Sequence, residues 1–223
     1  MKDNNRYEIK FVSNNIGLNN FISWLYNYTT LKKKYSKRKV NSLYLDDIFY
    51  TSARDNLIGL PNRKKIRFRW YNKIKNMENI FFEIKKRTNR LTFKTICKLN
   101  FANKQLTINN LINESLKELK LNKILIDKHL MPTLLTTYDR EYYEDENGIR
   151  LTIDSDIIFS RPMFFNEPKN NFSYEYNRKI IEIKFDPSLK DKVSNLLKKI
   201  HPIPQRHSKY LVGLAKLGDL TYL

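Results

Sequence analysis

The amino-acid sequence predicts an α+β fold in which antiparallel strands form an open sheet or close into a barrel, with a few helices packed outside. Charged residues alternate with apolar residues in several short stretches, and a period of two is typical of a strand with two different faces. Helical periodicity is confined to a few segments, and the Asn147-Gly148 pair suits a hairpin turn. The alternating stretches cover residues 6–11, 66–70, 82–85, 140–142, 150–154 and 181–185.

The polar faces of these stretches are mostly Arg and Lys rather than a random polar mixture. A carboxylate often lies two residues from a cation, as in Glu182-Ile183-Lys184. Repeated over so many strands, this pattern predicts a concave surface that holds a highly charged anion. Closure into a barrel would also remove exposed strand edges.

Length and charge favour one domain, residues 1–223, with an anionic partner. The 223 residues carry a formal net charge of +19, which suits nucleic acid, a membrane surface, nucleotides or a phosphate polymer. The single cysteine, Cys97, excludes an internal disulfide and makes a cytoplasmic setting the default. No apolar stretch approaches the roughly 18 to 20 residues of a membrane span, so we expect a soluble protein.

The first half of the chain is predicted to alternate between strands and short helices. Residues 15–35 form a predicted helix, with Phe21, Trp24 and Leu25 at helical spacing. The lysine- and arginine-rich segment 32–39 is predicted to be an exposed turn or loop. The other predicted elements are strands 6–12 and 40–45, a short helix 50–57, and a hairpin of 64–71 and 80–86 around the turn 72–79.

The second half is predicted to contain further strands and two or three helices. An acidic turn at 144–148 joins two of the strands, and residues 161–178 lack periodicity and are predicted to be a loop. Residues 208–217 are predicted to pack as a closing helix or turn. The remaining predicted elements are strands 91–99, 134–143, 149–154 and 179–185 and helices 108–125 and 189–200.

A set of short motifs lies in a fixed order along nearly the whole chain. Each motif is weak alone, but together they resemble the bacterial VTC-domain proteins, relatives of the catalytic domain of the vacuolar transporter chaperone polyphosphate polymerase, within the triphosphate tunnel metalloenzymes. The resemblance implies a tunnel of antiparallel strands whose lumen binds a triphosphate and a divalent cation. The motifs are Arg6–Phe11, Ser42–Asp46, Gly59–Tyr71, Glu83–Lys86, Tyr138–Arg140, Arg150–Asp154, Glu182–Lys184 and Ser208–Tyr210.

One departure from the wider superfamily is informative. The hydrolases and cyclases of the CYTH branch typically begin with Glu-x-Glu-x-Lys, whereas this chain has Arg6-x-Glu8-x-Lys10. The arginine adds positive charge and removes a potential metal ligand, and it therefore favours the polymerase-like branch.

The resemblance assigns phosphate-handling roles to nine cations. Arg suits bidentate contact with phosphate oxygens, and Lys acts as a compact point charge. The structural alternative is a solvated charge on an outer strand face, or a basic C-terminal surface for Arg206 and Lys209. The implied catalytic residues are Arg67, Arg69, Lys85, Arg140 and Arg150, and the implied phosphate-binding residues are Lys10, Lys94, Arg206 and Lys209.

The resemblance also implies a divalent metal, Mn²⁺ or Mg²⁺, which prefers carboxylate oxygen and bridges phosphates. Glu182 is the first predicted ligand and Glu8 the second, with a salt bridge to an inward-facing Arg as the alternative for Glu182. Glu83 and Asp154 are expected to orient cations. Hydroxyl groups from Tyr44 and Tyr138 are further candidates to contact phosphate.

The predicted function is ATP-dependent synthesis of inorganic polyphosphate, with ATP and polyphosphate as partners. Hydrolysis of a triphosphate on the same site and a non-catalytic polyanion-binding module remain open alternatives. The sequence has no phosphate-binding Gly-x-x-x-x-Gly-Lys loop and no zinc-type histidine spacing. It also has no RNP-type signature, and enclosed arginines suit a slim linear chain better than a nucleic-acid duplex, so no nucleic-acid partner is expected. If the product crosses a membrane, a separate membrane subunit must supply the pore. This protein would then act at the inner face of the membrane.

Overall fold

A computed structural model describes residues 6–72, 79–89, 91–99, 108–121, 129–162, 172–200 and 202–220. Within these ranges the chain forms nine strands, five α-helices and a 3-10 helix at Pro187–Leu189. The strands are β1 Tyr7–Ser13, β2 Lys32–Asp46, β3 Asn62–Tyr71, β4 Ile80–Thr88, β5 Leu91–Leu99, β6 Met131–Glu144, β7 Arg150–Ser160, β8 Ser173–Tyr176 and β9 Lys179–Phe185. The helices are α1 Asn15–Tyr28, α2 Thr51–Leu57, α3 Ile108–Leu121, α4 Lys190–Leu197 and α5 Lys209–Lys216.

The strands belong to one antiparallel sheet, which confirms the predicted α+β class. Neighbouring strands follow the order β1-β9-β7-β6-β2-β3-β4-β5, with β8 paired to β7. Among the described strands this order has two ends, β1 and β5. The chain divides into two compact units, which are described separately below; the prediction of a single domain over 1–223 stays a prediction.

Unit 1 comprises residues 1–39, 138–157 and 175–208, and its core lies between α1 and one face of β1, β7 and β9. The side chains of Phe11, Phe21, Leu151 and Ile181 are fully buried there. Burial of such side chains contributes roughly 1.5–3 kcal/mol each. Asn14 caps α1 by accepting a hydrogen bond from the Gly17 amide, which fixes where the helix begins.

The opposite face of the same three strands in unit 1 is polar. Residues directly paired across antiparallel strands place their side chains on the same face. Lys10 pairs with Glu182 and Glu8 pairs with Lys184 between β1 and β9. Between β7 and β9, the paired positions are 150 with 184 and 152 with 182. The strand register therefore brings the charged residues of β1, β7 and β9 together on the face opposite the core.

Unit 2 comprises residues 40–137, 158–174 and 209–223, and its main core lies on one face of β2, β3, β4 and β5. Phe68 and Phe82 pack against each other there with ring centroids 5.3 Å apart. On the other face, Arg67 of β3 lies directly opposite Glu83 of β4. Alternation along the strands again separates an apolar core face from a charged face.

Asp46, at the end of β2, connects that strand to α2 and α5 inside unit 2. Its buried carboxylate accepts hydrogen bonds from the backbone amides of Ser52 and Ala53, at 2.9 Å each, at the start of α2. It also accepts a 2.6 Å bond from the hydroxyl of Tyr210 on α5. Burial and the negative charge of Asp46 raise the pKa of Tyr210, so the phenol stays protonated as the donor.

Three predicted elements differ from the structure. The helix predicted over 15–35 ends at Tyr28, where Thr29 donates its hydroxyl to the Leu25 carbonyl. The predicted turn 32–39 was wrong, because these residues belong to β2. Their strand character is hidden in the sequence because both faces are polar. Lys33 and Lys37 of this segment form ion pairs with Glu141 and Asp139 of β6.

The loop predicted over 161–178 was also wrong in part, because β8 occupies Ser173–Tyr176. Residues 163–171 of that predicted loop lie outside the described residues, as do 73–78 of the predicted turn and 122–125 of the helix predicted over 108–125. None of the helices in the described ranges is long and apolar enough to cross a membrane.

Candidate functional site

In unit 2, three cations surround one buried carboxylate, Glu83. Arg67 contacts its Oε2 through Nε at 2.8 Å and through Nη2 at 2.7 Å. The Arg69 guanidinium lies 3.7 Å from the same oxygen, and Lys94 Nζ lies 2.9 Å from Oε1. Two of the predicted catalytic arginines and one predicted phosphate-binding lysine therefore converge on Glu83.

Electrostatics keep Glu83 ionised despite its burial. Desolvation raises the pKa of Glu83, but attraction from Arg67, Arg69 and Lys94 outweighs it and lowers the pKa from 4.5 to about 2. Burial lowers the pKa of Lys94, with Glu83 acting in the opposite direction. Three cations against one carboxylate leave an excess of positive charge on this face.

Neighbouring side chains fix the two arginines of this cluster. Arg67 Nη1 donates to the Tyr44 hydroxyl at 3.2 Å, and Arg69 donates to Ser42 Oγ at 3.4 Å. The Tyr44 ring stacks on Tyr210 with centroids 4.8 Å apart, which ties it to α5. The Tyr44 oxygen accepts the arginine hydrogen and the residue is buried, so contact of its hydroxyl with phosphate stays a prediction.

A row of lysines crosses the same face beside Glu83. Lys65, Lys85 and Lys94 lie directly opposite one another on β3, β4 and β5. Neighbouring strands are about 4.8 Å apart, and like charges directly opposite destabilise a sheet. A bound polyanion would relieve this repulsion. Lys85 is exposed, as a residue that meets a ligand from solvent would be.

In unit 1, two carboxylates and two lysines form a compact cluster on the polar face. Lys10 Nζ lies 2.7 Å from Glu8 and 3.6 Å from Glu182. Lys184 Nζ contacts Glu182 closely and lies 3.7 Å from Glu8. Both predicted metal ligands and the predicted phosphate-binding Lys10 therefore meet here.

Arg140 and Asp154 form a buried bidentate pair in the same unit. Arg140 Nε lies 2.5 Å from Oδ1 and Nη2 lies 2.7 Å from Oδ2. Burial lowers the pKa of Arg140, but Asp154 outweighs it and the pKa is raised. Burial likewise raises the pKa of Glu182, but Lys184, Lys10 and Arg140 hold it well below its ordinary value.

Arg150, the remaining predicted catalytic arginine, lies at the edge of the polar face of unit 1. Its Nε is 3.0 Å from Glu144, whose carboxylate also contacts Lys34 at 3.0 Å. Half of the Arg150 side chain is exposed. Arg150 and Glu182 line a common cavity, so this arginine reaches the surroundings of the carboxylate cluster without contacting it.

The two predicted C-terminal cations differ in their surroundings. Arg206 is exposed in segment 202–208 of unit 1, and Lys209 is half-buried as the first residue of α5 in unit 2. Segment 202–208 is fixed to β1, because the Gln205 amide donates to the Lys10 carbonyl at 2.8 Å and Lys10 Nζ donates to the His207 carbonyl at 3.2 Å. Phosphate binding by Arg206 and Lys209 stays a prediction.

The donor set in unit 1 fits a divalent metal only if phosphate supplies further ligands. The described residues contain no group of three or more His, Cys, Asp or Glu side chains placed to hold an ion. However, Mg²⁺ in phosphoryl-transfer sites is commonly held by one or two carboxylates plus substrate phosphates and waters. Glu8 and Glu182, which share Lys10 and Lys184 as partners, provide such a pair.

Several residues of these clusters were not singled out from the sequence. Lys184 shares a face with Glu182 at spacing two, and Lys65 shares a face with Arg67 in the same way. Strand alternation could have found both. Tyr142 and Thr152, which line the cavity of unit 1, lie two residues from Arg140 and Arg150 and share their strand faces in the same way.

The family model of the VTC domain matches residues 5–218 of the chain. Among solved structures, a protein from Pyrococcus horikoshii OT3 is similar with a TM-score of 0.52 and 13% identity, covering 96% of this chain and 99% of that one. A putative adenylate cyclase from Vibrio parahaemolyticus has a TM-score of 0.52 and 10% identity, covering 94% and 97%.

A putative adenylyl cyclase from Hippeastrum, described as having a dominant triphosphatase activity, has a TM-score of 0.50 and 13% identity, covering 96% of each chain. Such low identities show the fold alone. The likeness extends over nearly the full length in all three cases and confirms the predicted triphosphate tunnel type of fold.

Proposed function

Because the chain belongs to the VTC domain family, we propose that it transfers phosphoryl groups from ATP onto a chain of inorganic polyphosphate. The observation that carries the proposal is the cationic face of unit 2. There Arg67, Arg69 and Lys94 surround the single carboxylate of Glu83, and a lysine row lies beside them. This surface has the charge excess and the fixed geometry that a phosphate chain requires.

Phosphoryl transfer needs positioning and neutralisation of phosphate oxygens more than covalent help from the protein. Glu83 holds Arg67 in place through Nε and Nη2, while the remaining guanidinium nitrogen, Nη1, donates to the Tyr44 hydroxyl. Pre-ordered guanidinium groups lose little freedom when a phosphate binds, and they stabilise charge that develops in the transition state. In this proposal, Arg67 and Arg69 orient the reacting phosphates, and Lys85 and Lys94 neutralise the adjacent ones.

The cluster of unit 1 supports a different part of the proposal. Its cations Lys10, Lys184 and Arg140 are matched by Glu8, Glu182 and Asp154, so it offers no excess positive charge. We propose that Glu182 and Glu8 hold Mn²⁺ or Mg²⁺, which when bound neutralises phosphate charge. Lys10 and Lys184 contact and orient both carboxylates, and together with Arg140 they hold the pKa of Glu182 well below its ordinary value.

Hydrolysis of a triphosphate is the second candidate function. It is favoured by the likeness to the Hippeastrum protein, which is described as a triphosphatase. The same cations would bind the substrate, and the outcome would depend on whether water or a phosphate terminus occupies the in-line position. A polyphosphate-binding module without turnover is the third outcome that the experiment below separates.

The test is to incubate the purified full chain with ATP and Mn²⁺ and to resolve the products on a gel. We expect long phosphate chains, and we expect Arg67→Ala and Glu182→Gln each to reduce chain formation by about 100-fold or more. Arg178→Ala and Glu175→Gln are matched controls, because both residues are exposed and lie outside the two clusters.

Release of inorganic phosphate without chain growth would replace the polymerase by the hydrolase. Binding of polyphosphate without either reaction would assign the non-catalytic module. Full activity in both Arg67→Ala and Glu182→Gln would overturn the assignment of these residues.

The partners of the proposed reaction are ATP and polyphosphate, and the supply of ATP places the protein in the cytoplasm in this proposal. A product that must cross the membrane requires a separate membrane subunit at its inner face. Co-purification of the tagged full chain from solubilised membranes tests this part of the proposal, and recovery from the soluble fraction alone would contradict it.

A further inference from the structure

Five apolar side chains of unit 2 are exposed within one short stretch of the chain, around α2. Scattered single apolar residues are normal on a protein surface, whereas a group of them in one place marks an interaction surface. The proposed reaction uses none of the five. They are Ile48, 71% exposed, Phe49, 71%, Leu57, 39%, Ile58, 70%, and Leu60, 39%, and together they form what we call the α2 patch.

Hydrogen bonds fix the turn that precedes α2 and carries Ile48 and Phe49. The Asp47 carboxylate accepts bonds from the backbone amides of Phe49 and Thr51, at 3.0 Å each. The Asp47 carbonyl accepts a further 3.0 Å bond from the Tyr50 amide. The backbone is therefore held in a conformation that leaves both apolar side chains in solvent. An ordered turn that exposes Ile and Phe indicates a surface that another molecule covers.

The turn that follows α2 is fixed in a similar way. Gly59 has a φ of +76°, and the Leu60 amide donates to the Asp55 carbonyl at 2.9 Å, an arrangement that ends a helix. Arg63 Nη1 donates to the carbonyl groups of Gly59 and Leu60. The helix between the two turns has seven residues and is about 10 Å long, so the two ends of the α2 patch lie close together.

The outer side of α2 carries a cation among its apolar residues. Ser52 and Ala53 are buried and mark the inner side of the helix. Arg54, Leu57 and Ile58, at spacings of three and four, share the exposed side. The Arg54 side chain therefore lies on the same side of the helix as two residues of the α2 patch.

Charge around the α2 patch suits an anionic partner. Arg54 is exposed, whereas the two aspartates of segment 47–65 are half-buried, and Asp47 already accepts two amide bonds. The net charge of +19 also attracts the chain to an anionic surface from a distance. Apolar side chains that enter an interface, together with cations that meet lipid phosphates, are the combination that binds an anionic bilayer. The cations of the segment are Arg54, Arg63, Lys64 and Lys65, and its aspartates are Asp47 and Asp55.

The exposure of the α2 patch favours a bilayer over a second protein. Ile48, Phe49 and Ile58 are each 70% or 71% exposed, so neighbouring side chains cover little of them. A protein interface of ordinary size involves about 20–30 residues a side and packs as densely as a protein interior. Five side chains fall short of that number, whereas a fluid bilayer accommodates single projecting side chains without a matching surface.

We propose that the α2 patch binds the surface of a bilayer that contains anionic lipids. Ile48, Phe49 and Ile58 enter the boundary between headgroups and acyl chains, and Arg54 contacts a lipid phosphate. The contact is with the lipid itself, so it is distinct from binding to a membrane subunit. It needs neither ATP nor phosphoryl transfer and therefore holds or fails independently of the proposed function.

The test measures binding of the purified full chain to protein-free vesicles of equal parts phosphatidylcholine and phosphatidylglycerol, by sedimentation without ATP. We expect Ile48→Ser/Phe49→Ser to raise the Kd for these vesicles about tenfold or more, because the charge is unchanged and apolar contact is lost. Arg54→Ala should raise the Kd about fivefold. The matched control, Ile16→Ser/Ile203→Ser, removes two side chains of unit 1 that are 73% and 78% exposed. It should change the Kd by no more than about twofold.

A second measurement reports insertion rather than affinity. In Phe49→Trp, indole fluorescence should be quenched by vesicles whose acyl chains carry bromine, because the ring enters the boundary of the acyl region. In Ile203→Trp, the added fluorescence should not be quenched. The two native tryptophans, Trp24 and Trp70, are buried and half-buried and are present in both variants.

Thermal unfolding should be unchanged in both double variants, because all four substituted side chains are exposed. A wild type that does not bind the vesicles, an unchanged Kd for Ile48→Ser/Phe49→Ser, equal weakening by the control pair, or no quenching in Phe49→Trp would each overturn the inference. Loss of self-association in Ile48→Ser/Phe49→Ser, with vesicle binding intact, would show that the α2 patch is a protein interface instead.

Discussion

At the scale of single residues, Glu83 shows how one buried carboxylate organises a cationic surface. A carboxylate in an apolar environment would ordinarily be protonated more readily, but three cations reverse the direction of the shift. Removing Glu83 would leave Arg67, Arg69 and Lys94 without their common partner, and breaking a buried ion pair costs about 3–5 kcal/mol. Glu83 therefore contributes to stability as well as to the order of the proposed phosphate site.

This arrangement predicts an acid-dependent contribution of Glu83 to the free energy of unfolding. Because the pKa falls from 4.5 to about 2 on folding, the contribution is present in full above about pH 5 and is lost as the pH falls toward 2. Its size is on the order of 3 kcal/mol. Urea unfolding at pH 5.5 and at pH 3 should show Glu83→Gln less stable than the wild type at pH 5.5, with a smaller difference at pH 3.

Glu175→Gln is the control for this experiment, since it removes one negative charge from an exposed position. A difference between wild type and Glu83→Gln that stays the same at both pH values would show that ionisation of Glu83 does not contribute.

Strand alternation predicts which residues share a face, whereas the choice of Arg67, Lys10 and Glu182 as site residues came from their match to the motifs of the family that the sequence resembles. Alternation does not predict which distant residue completes a site. The Tyr210 hydroxyl bonds Asp46 from 164 residues away, and the sequence shows only an aspartate at the end of a strand and a tyrosine in a helix. Such pairs depend on tertiary packing.

At the scale of elements, α5 packs against strands of unit 2 through a glycine. A Cβ atom at Gly213 would lie 2.5 Å from Leu134 Cδ2 and 2.8 Å from Phe159 Cδ1, and both neighbours are fully buried. The missing side chain allows α5 to approach closely enough for Tyr210 to reach Asp46 and to stack on Tyr44. Helix packing thereby supports the position of Arg67, which donates to Tyr44.

We expect Gly213→Ala to destabilise the protein, although alanine favours a helix by about 1 kcal/mol. Overpacking of a dense core costs about 1–3 kcal/mol, so the net loss in the free energy of unfolding should be up to about 2 kcal/mol. Chemical denaturation measures it. A double-mutant cycle with Leu134→Ala should show that Gly213→Ala costs less when the leucine is truncated. Additive effects would show that the contact with Leu134 is not the cause.

The sequence predicted most elements well where one face is apolar, as in β1, β4 and β9. It failed for residues 32–39, whose two faces are both polar. The strand there is stabilised by ion pairs such as Lys37 with Asp139, at 3.1 Å, and partners of this kind are invisible to a periodicity argument. The end of α1 was missed for a related reason, because basic residues after Thr29 suit a helix and a strand equally.

At the scale of the whole molecule, a net charge of +19 attracts any polyanion, so charge alone does not identify the ligand. What distinguishes the face of unit 2 is the fixed spacing of its cations. Lys65, Arg67 and Arg69 alternate along β3, about 7 Å apart, and Lys65, Lys85 and Lys94 cross three strands about 4.8 Å apart. A slim linear polymer with a negative charge on every phosphate can contact these regularly spaced cations one after another.

This regular spacing of cations predicts how polyphosphate binding depends on salt. Neutralising about five phosphates with these cations should weaken the affinity for long-chain polyphosphate about 100-fold between roughly 50 and 200 mM salt. Lys85→Ala should reduce the slope of log Kd against log salt by about 0.7, whereas Lys198→Ala, an exposed lysine at the end of α4, should leave the slope unchanged. Titrations with fluorescent polyphosphate at several salt concentrations measure both slopes. If single-stranded RNA of equal charge bound as tightly and Lys198→Ala changed the slope as much as Lys85→Ala, the surface would bind polyanions in general and the proposed phosphate site on the cationic face of unit 2 would be wrong.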